Sequence, residues 1–281
     1  MLRSFLNIRI IKSIIYRLKK IAPTLNVYAR CKYSNNLIYV PLDDFIGYEL
    51  YFWGTFEDHL VKLLSHNKFN SLTFFDVGTN LGTFTFNLEP IFKQIVCFEA
   101  SNKNCEYLTE SIKRNNLSSK VALKHCAISN VSYEKISLNI SANTCGNNSI
   151  FTHGEPNKST ELVETLSIDD YAENENIHPD LIKVDIEGAE KLFFEGAYNV
   201  IKKDKPVILV EWNGYVCKNV GTSIIDYWPI FDNDFKTFIV NEKSDLVEFK
   251  YDDTKDYYDV VMDLLITPKS ILKTISDLIK S

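Results

Sequence analysis

The sequence lacks the features that identify a membrane-spanning or metal-binding protein. No apolar run reaches about 18 residues, the least that a helix needs to cross a membrane. The six cysteines are far apart, with no CxxC pair and no histidine at the spacing of metal ligands: Cys31, Cys97, Cys105, Cys126, Cys145 and Cys217. We therefore predict no spanning helix and no metal site, and we expect reduced cysteines in an intracellular protein.

An excess of basic residues is also absent. The chain has 31 Lys and Arg against 37 Asp and Glu, which gives a formal net charge of −6. A protein that binds nucleic acid through a broad basic face needs the opposite balance, so no nucleic-acid partner is expected. With 281 residues, of which 45% are hydrophobic, the chain is long enough to bury one large core.

The N-terminus departs from this acidic composition. Residues 1–20 contain six Lys or Arg and no acidic residue, and apolar residues recur at helical spacing at Ile11, Ile14, Ile15 and Leu18. These features predict a basic amphipathic helix over residues 1–22. Such a helix would pack on the domain, lie on an anionic membrane surface, or act as a targeting segment. We expect a cytoplasmic protein, with peripheral membrane contact through residues 1–20 as the alternative.

From residue 71 onward, short apolar runs alternate with longer helical stretches, which is the pattern of βαβ units in a mostly parallel sheet. Crossover helices are predicted over residues 102–115 and 188–203. The apolar runs are continuous, which indicates strands buried on both faces, over residues 72–77, 95–98, 121–126, 181–184 and 207–210.

The predicted organisation has four parts besides the N-terminal helix. They are an aromatic-rich cap region (23–70), the main domain (71–268), a polar insertion within it (131–165) and a C-terminal helix (269–281). In the insertion, alternating polarity over residues 135–140 and 161–166 predicts a hairpin. Residues 237–240 and 260–267 suit a closing antiparallel pair.

The stretch FFDVGTNLGTFTF, residues 74–86, has the form of a ligand-binding turn. A buried strand ends at Asp76, and the chain turns through Gly78, Asn80 and Gly82 into a helix whose first N–H groups are free. The pattern is GxNxG and not the GxGxxG of dinucleotide enzymes. An acid before the first glycine suits a cationic ligand such as S-adenosylmethionine (SAM), which carries an ammonium and a sulfonium. A turn without a ligand is the alternative.

Two further strands end in candidate cofactor residues. Glu99 can accept hydrogen bonds from the ribose hydroxyls of an adenosyl ligand. The alternative is a solvated acid at the start of a helix, where it favours the helix dipole. NAD enzymes share this acid. The next strand ends at His125, Cys126 and Ala127, where the backbone could bind adenine; His125 alone is equally consistent with a surface role.

The fourth and fifth strands carry acids at the same rim of the sheet. LIKVDIEGAE contains Asp185 and Glu187, and LVEWN contains Glu211, followed by Trp212. Methyl transfer is an in-line displacement in which the protein aligns the acceptor and takes its proton, and a carboxylate can do both. The alternative is that Glu187 caps the following helix while Asp185 orders the loop.

Together these segments resemble the FkbM family of SAM-dependent methyltransferases over residues 50–215. The resemblance implies a class I methyltransferase fold of the Rossmann-like α/β type. Its sheet would have seven strands, all parallel except one, with helices on both faces. It also implies SAM as cofactor and O-methylation of a hydroxyl on a sugar, glycoconjugate or natural product.

Carried over by position, the resemblance assigns the cofactor loop to Asp76, Gly78, Thr79, Asn80 and Gly82. It assigns ribose binding to Glu99 with Ala100 after it, and the site-facing acids to Asp185 and Glu187. Thr79 stands where the family commonly has Ala, and Ala100 where it has Pro. Glu57, before the first strand, is expected to reach the cofactor.

Two other functions fit parts of the pattern. A nicotinamide-dependent oxidoreductase would share the glycine turn and Glu99, but it would use GxGxxG. A non-catalytic scaffold could keep the SAM site without methylating anything. The sequence leaves the acceptor, the general base and the oligomeric state open.

Overall fold

The computed structural model describes residues 25–66, 73–141, 144–151 and 157–280. The basic helix predicted over residues 1–22 lies outside them. In the part of the chain that is described, no helix is both long enough and apolar enough to cross a membrane. All six cysteines lie within these ranges and are free thiols.

Nine strands, numbered along the chain, form the central sheet. From one edge to the other they are β5 (Val121–His125), β4 (Gln94–Glu99), β3 (Thr73–Val77), β9 (Leu181–Val184), β10 (Val207–Asn213), β13 (Val261–Pro268), β11 (Phe235–Val240), β12 (Leu246–Glu248) and β14 (Ile279–Lys280). The first five are parallel to one another, and β13 runs antiparallel to both β10 and β11. This arrangement confirms the predicted class I methyltransferase fold.

The sheet has two more strands than the seven predicted, because β12 and β14 extend the edge beyond β11. The side chain of Asn241 accepts hydrogen bonds from the backbone N–H groups of Lys243 and Asp245, and this turn sends the chain back as β12. The helix predicted over residues 269–281 is wrong for the described residues. Two short 3₁₀ turns, Lys269–Ile271 and Ser276–Leu278, lead into β14. Pairing with β12 covers an edge that a helix would leave open.

Eight α-helices lie among the described residues. They are α1 (Phe45–Trp53), α2 (Asp58–Leu64), α3 (Thr83–Leu88), α4 (Asn102–Arg114), α5 (Ile168–Glu175), α6 (Glu190–Gly196), α7 (Tyr198–Asp204) and α8 (Gly214–Val220). The prediction of one helix over residues 188–203 is corrected, since the chain breaks between α6 and α7. Gly196 ends α6 against the carbonyl of Ser129, where an added Cβ would lie 2.2 Å from that oxygen.

The four inner parallel strands, β4, β3, β9 and β10, are buried on both faces, as their apolar runs predict, whereas the prediction is wrong for β5, an edge strand with only Val121 buried. Neighbouring residues of a strand point to opposite sides, so Phe74 and Phe75 belong to two different core clusters. Leu181 and Ile182 divide in the same way on β9. The sheet therefore separates two apolar layers, and polar side chains concentrate where the strands end.

Two smaller units lie beside the sheet. The cap region forms an antiparallel hairpin of β1 (Asn26–Arg30) and β2 (Leu37–Pro41), which is tied to α4 by the Tyr39 N–H donating to Ser111 Oγ at 2.8 Å. In the insertion, β7 (Lys135–Ser141) and β8 (Asn157–Leu166) pair antiparallel, which confirms the predicted hairpin strands. Strand β8 also pairs with β6 (Ala127–Ile128), so the insertion is anchored next to the end of β5.

Candidate active site

The glycine turn between β3 and α3 packs directly on the backbone that follows β9. Gly78 has φ +75°, and an added Cβ would lie 1.8 Å from the carbonyl oxygen of Asp185. No side chain fits there. Gly82, at φ +89°, starts α3 and lies against the ring of Phe86. The Thr79 hydroxyl closes the turn by donating to the Asp76 carbonyl at 2.7 Å.

A cavity of about 590 Å³ lies beside this turn and brings together residues from the ends of β3, β4, β5 and β9. We call it the first cavity. Six predicted cofactor residues line it, together with both acids that follow β9: Gly78, Asn80, Glu99, Ala100, Cys126, Ala127, Asp185 and Glu187. Apolar side chains of Phe98, Ile128 and Leu138 complete the end near β5.

Glu99 is held firmly at the floor of the first cavity. Its Oε2 accepts the N–H of Asn80 at 2.7 Å, while Oε1 accepts the N–H of Ser101 at 2.8 Å and the side-chain amide of Asn104 at 3.3 Å. A carboxylate has about four acceptor sites, so capacity remains for a hydroxyl donor. Burial raises the pKa of Glu99 to about 7, and these hydrogen bonds oppose the rise.

Three predicted cofactor residues line neither this cavity nor the second one described below, which corrects their assigned contacts. Asp76 is 1% exposed and lies under the turn, where its Oδ2 accepts the Thr85 hydroxyl at 2.6 Å. Gly82 shapes the start of α3. His125 is exposed, and its Nε2 lies 3.1 Å from the carbonyl oxygen of Ala100. The side chains of Asp76 and His125 thus contact the helix and the loop beside the cavity and do not line it.

A second cavity, of about 780 Å³, lies beside the first and is lined by all three predicted catalytic acids. Asn80, Gly146, Asp185 and Glu187 line both cavities. The second is further lined by acids, by one lysine and by aromatic rings: Glu57, Glu211, Lys183, Phe45, Phe56 and Phe84. Glu57 reaches it from the residue before α2, in a left-handed conformation with φ +54°.

Lys183 is a site residue that the sequence interpretation missed. It is 6% exposed, and its Nζ lies 3.0 Å from Asp185 Oδ2 and 3.4 Å from the carbonyl oxygen of Gly78. Burial alone would lower the Lys183 pKa, but the carboxylates of Asp185, Asp76 and Glu57 outweigh it and raise that pKa. The signal was a lysine inside the continuous apolar run LIKV, because a buried lysine nearly always has a charged partner.

The acids of the second cavity are crowded enough to shift one another's titration. Burial, followed by the negative charge of Asp185, raises the pKa of Glu57, Glu187 and Glu211. Each shift disfavours the charged carboxylate, so a cation entering this cavity would be stabilised strongly. Within the described residues, no group of three or more His, Cys, Asp or Glu side chains is arranged to hold a metal ion.

Comparison with known proteins agrees with this geometry. The model of the methyltransferase FkbM domain matches residues 76–251, which is more than half of the chain. The chain belongs to the FkbM methyltransferase family. This membership supports SAM-dependent methyl transfer and counts against the oxidoreductase alternative. A search of curated proteins found no match.

Solved structures similar to this FkbM-family chain are distant relatives. The FkbM methyltransferase from Methylobacillus flagellatus KT is 17% identical, with a TM-score of 0.44 over 70% of this chain and 43% of that one. An O-methyltransferase from Bacillus cereus, solved in complex with SAH, is 15% identical, with a TM-score of 0.43 over 76% and 80%. The tRNA m1G37 methyltransferase from M. jannaschii is 10% identical, with a TM-score of 0.41 over 86% and 54%. The chain thus spans less than half of the Methylobacillus protein.

The residues around the two cavities suit SAM. Gly78 leaves bare backbone where a Cβ could not fit, and Glu99 presents a carboxylate to the first cavity. The second cavity is rich in carboxylates, which is the environment that an ammonium and a sulfonium require. Asp76 Oδ1 is buried without a hydrogen-bond partner in the described residues, and burial raises the pKa of this carboxyl while the charge of Lys183 opposes the rise.

Proposed function

We propose that the protein transfers the methyl group of SAM to a hydroxyl of a sugar, glycoconjugate or natural product. One observation carries the proposal. Two cavities, one lined by Glu99 and the other by several acids, share Asp185 and Glu187 in their lining and so lie side by side. A methyl group that passes from a donor in one to an acceptor in the other would pass these two acids.

The first cavity would hold the adenosyl end of the donor. Glu99 would accept hydrogen bonds from the ribose, and the backbone at Cys126 and Ala127 would bind the adenine edge beside Ile128 and Leu138. The ammonium end would extend over Gly78 into the second cavity. There Glu57 and Asp185 supply negative charge.

The acceptor would occupy the remainder of the second cavity. SAM supplies an electrophilic methyl carbon, and the protein has to align a hydroxyl oxygen with it and take the hydroxyl proton. Asp185 and Glu187 both line the two cavities, and the Asp185 carboxylate forms an ion pair with Lys183. We assign proton acceptance to Glu187 and acceptor binding to Glu211.

The charge of the second cavity favours a neutral or cationic acceptor. Four carboxylates line it, those of Glu57, Asp185, Glu187 and Glu211, and its one lysine is bonded to Asp185. A phosphate, sulfate or uronate would be repelled. A neutral sugar, or one that bears an amine, meets hydrogen-bond acceptors and the aromatic rings of Phe45 and Phe56. The predictions of no nucleic-acid partner, a cytoplasmic location and membrane contact through residues 1–20 stay predictions.

Calorimetric titration tests the donor half of the proposal. Wild-type protein should bind SAM and its demethylated product SAH, and Glu99→Ala should weaken both by about 10–100-fold because a buried charged acceptor is lost. Glu106→Ala is the matched control, since Glu106 is an exposed acid on α4, the helix that follows Glu99, and is paired with Lys103. Wild-type protein that binds neither ligand would overturn the proposal.

A panel of neutral, amino and acidic sugars tests the acceptor half. Mass spectrometry should detect one added methyl group on a neutral or amino sugar, and Glu187→Gln should lower kcat by about 10²-fold or more while SAH still binds. Methylation confined to acidic sugars would contradict the charge argument. SAM binding without methylation of any panel member would favour the scaffold alternative.

A further inference from the structure

Residues 144–151 of the insertion contribute to the lining of both cavities, and we call them the wall segment. Cys145, Gly146 and Ser149 line the first cavity, while Gly146 and Asn147 line the second. The segment therefore contacts both spaces that the proposed reaction would use. The contacts that hold the wall segment in place therefore determine the shape of both cavities.

A continuous chain of hydrogen bonds runs from the start of α1 through the wall segment to the floor of the first cavity. Asp44 Oδ2 accepts the N–H of Cys145 at 2.7 Å. The Cys145 thiol donates to Asn80 Oδ1 at 3.1 Å, and the Asn80 N–H donates to Glu99 Oε2 at 2.7 Å. A side branch returns through Asn104, whose amide donates to Glu99 Oε1 at 3.3 Å and to the Cys145 carbonyl at 3.5 Å.

Asp44 has two separate tasks in this arrangement. Its Oδ1 caps α1 by accepting the N–H of Ile46 at 2.8 Å and that of Gly47 at 3.3 Å. Its Oδ2 is free of the cap and serves the wall segment. One carboxylate thus joins the acceptor-side helix to the cofactor-side wall.

The packing around Gly146 shows that α1 and the wall segment are in direct contact. A Cβ added at Gly146 would lie 2.7 Å from Ile46 Cδ1 and 3.3 Å from the amide nitrogen of Asn80. Ile46 and the preceding Phe45 both line the second cavity. At its other end, the wall segment is fixed by the Ser149 hydroxyl, which donates to the Glu187 carbonyl at 2.7 Å.

We propose that Asp44 is a positioning residue for the methyl donor. By holding Cys145, it fixes Asn80 against Glu99 and so shapes the first cavity from outside. It also makes donor affinity depend on the placement of α1, which borders the acceptor space. This inference rests on the proposed function, because it takes the first cavity to be the SAM site.

Asp44→Asn is the informative variant. An asparagine has one side-chain oxygen, which still caps α1 but cannot also accept the N–H of Cys145. We expect SAH to dissociate about tenfold more readily, as for the loss of one hydrogen bond to a charged group. The unfolding midpoint should stay near that of the wild type. The control is Asp58→Asn, which removes the same charge from the same region but breaks a surface pair with Lys32.

A double-mutant cycle separates this role from general destabilisation. Cys145→Ala removes the thiol donor to Asn80, so it should weaken SAH binding too, and Cys145→Ser should restore much of the affinity. If this chain of hydrogen bonds acts as a unit, the double variant with Asp44→Asn and Cys145→Ala should lose less SAH affinity than the product of the two single losses. Equal SAH affinity of Asp44→Asn and the wild type, or strictly multiplicative effects, would overturn the proposal. Absence of SAH binding by the wild type would instead point to failure of the proposed function.

Discussion

A single atom decides which residue can stand at the start of the cofactor turn. Gly78 and Gly221 share φ +75°, but a Cβ at Gly78 would meet the Asp185 carbonyl oxygen at 1.8 Å, whereas nothing lies within 4 Å at Gly221. The two positions therefore separate the cost of a left-handed backbone from the cost of a steric clash. The cost of a left-handed backbone is small. The steric clash at Gly78 is larger, because it would push the turn after β3 away from the backbone after β9.

Replacing each of these glycines by alanine measures both costs. Gly221→Ala should lower the free energy of unfolding by about 1 kcal/mol, which is the conformational cost alone. Gly78→Ala should cost at least about 3 kcal/mol in urea unfolding and abolish SAH binding, because the turn has to move off Asp185. Equal losses of stability from the two variants would show that the close approach at Gly78 has no energetic importance.

Lys183 is the second residue whose surroundings no other side chain would suit. Lys183→Met would leave the buried carboxyl of Asp76 and the partly exposed carboxylate of Asp185 without their cation, and we expect a loss of about 3 kcal/mol in urea unfolding. Lys124→Met breaks a more exposed pair with Glu175 and should cost no more than about 1 kcal/mol. Adding Asp185→Asn to Lys183→Met should recover part of the loss, whereas simple addition of the two costs would contradict the pairing.

At the level of secondary structure, the ends of β9 and β10 create a rim of acids that titrate together. Burial and the charge of Asp185 raise the pKa values of Glu187 and Glu211, which favours the protonated form of both acids in the unliganded protein. A nearby sulfonium favours the charged carboxylates, so binding of SAM should release protons. SAH has a neutral thioether at that position and should release fewer.

Calorimetry in buffers of different ionisation enthalpy counts these protons. We expect a larger release with SAM than with SAH at pH 7, and the difference should shrink in Glu211→Gln. Equal proton release with both ligands would show that the acids do not sense the transferred group.

Elements with a strong period were predictable from the sequence, and elements fixed by tertiary contacts were not. The apolar runs around Phe75 and Ile182 predicted buried strands correctly because each fills a core on both faces. Strands β12 and β14 escaped prediction because they are short and depend on the turn at Asn241 and on an open sheet edge. The wall segment carries no periodicity, since hydrogen bonds to Asp44 and Asn80 hold it.

The residues of the site were also predictable only in part. Strand ends predicted which acids would gather, because parallel strands end at one rim, and Glu99, Asp185, Glu187 and Glu211 do line the cavities. Side-chain direction was not predictable, so Asp76 proved to be buried under the turn. Lys183 was missed because a lysine within an apolar run was taken as part of the strand.

For the whole molecule, the cap region and the sheet form the second cavity jointly, and an ion pair joins them close to it. His59, on α2, lies 3.0 Å from Asp263 on β13, and both side chains are mostly buried. Asp263 lies opposite Glu211 in the register of β10 and β13. The hydrogen bond and charge of Asp263 raise the pKa of His59.

This pair should make the attachment of the cap depend on pH. Because the folded pKa of His59 is raised, the stabilisation is complete below about pH 6.5, the value for an unfolded histidine, and is lost as pH rises through the folded pKa. The stability difference between wild type and His59→Asn should therefore be largest near pH 6 and small at pH 9 in urea unfolding. His178→Asn, which breaks a more exposed pair with Asp204, is the control. A difference for His59→Asn that grew with pH would contradict the assignment.

The closeness of the two cavities also makes the enzyme a target for a single bridging molecule. Asn80, Gly146, Asp185 and Glu187 border both spaces, so the two lie one side chain apart. A compound with adenosine joined through a short tether to a sugar would bind the second group at a high effective concentration. A library of such adenosine–sugar conjugates can be ranked by how long each is retained on the immobilised enzyme. The sugar that most increases retention would identify the acceptor, and no methyl transfer is needed for this measurement.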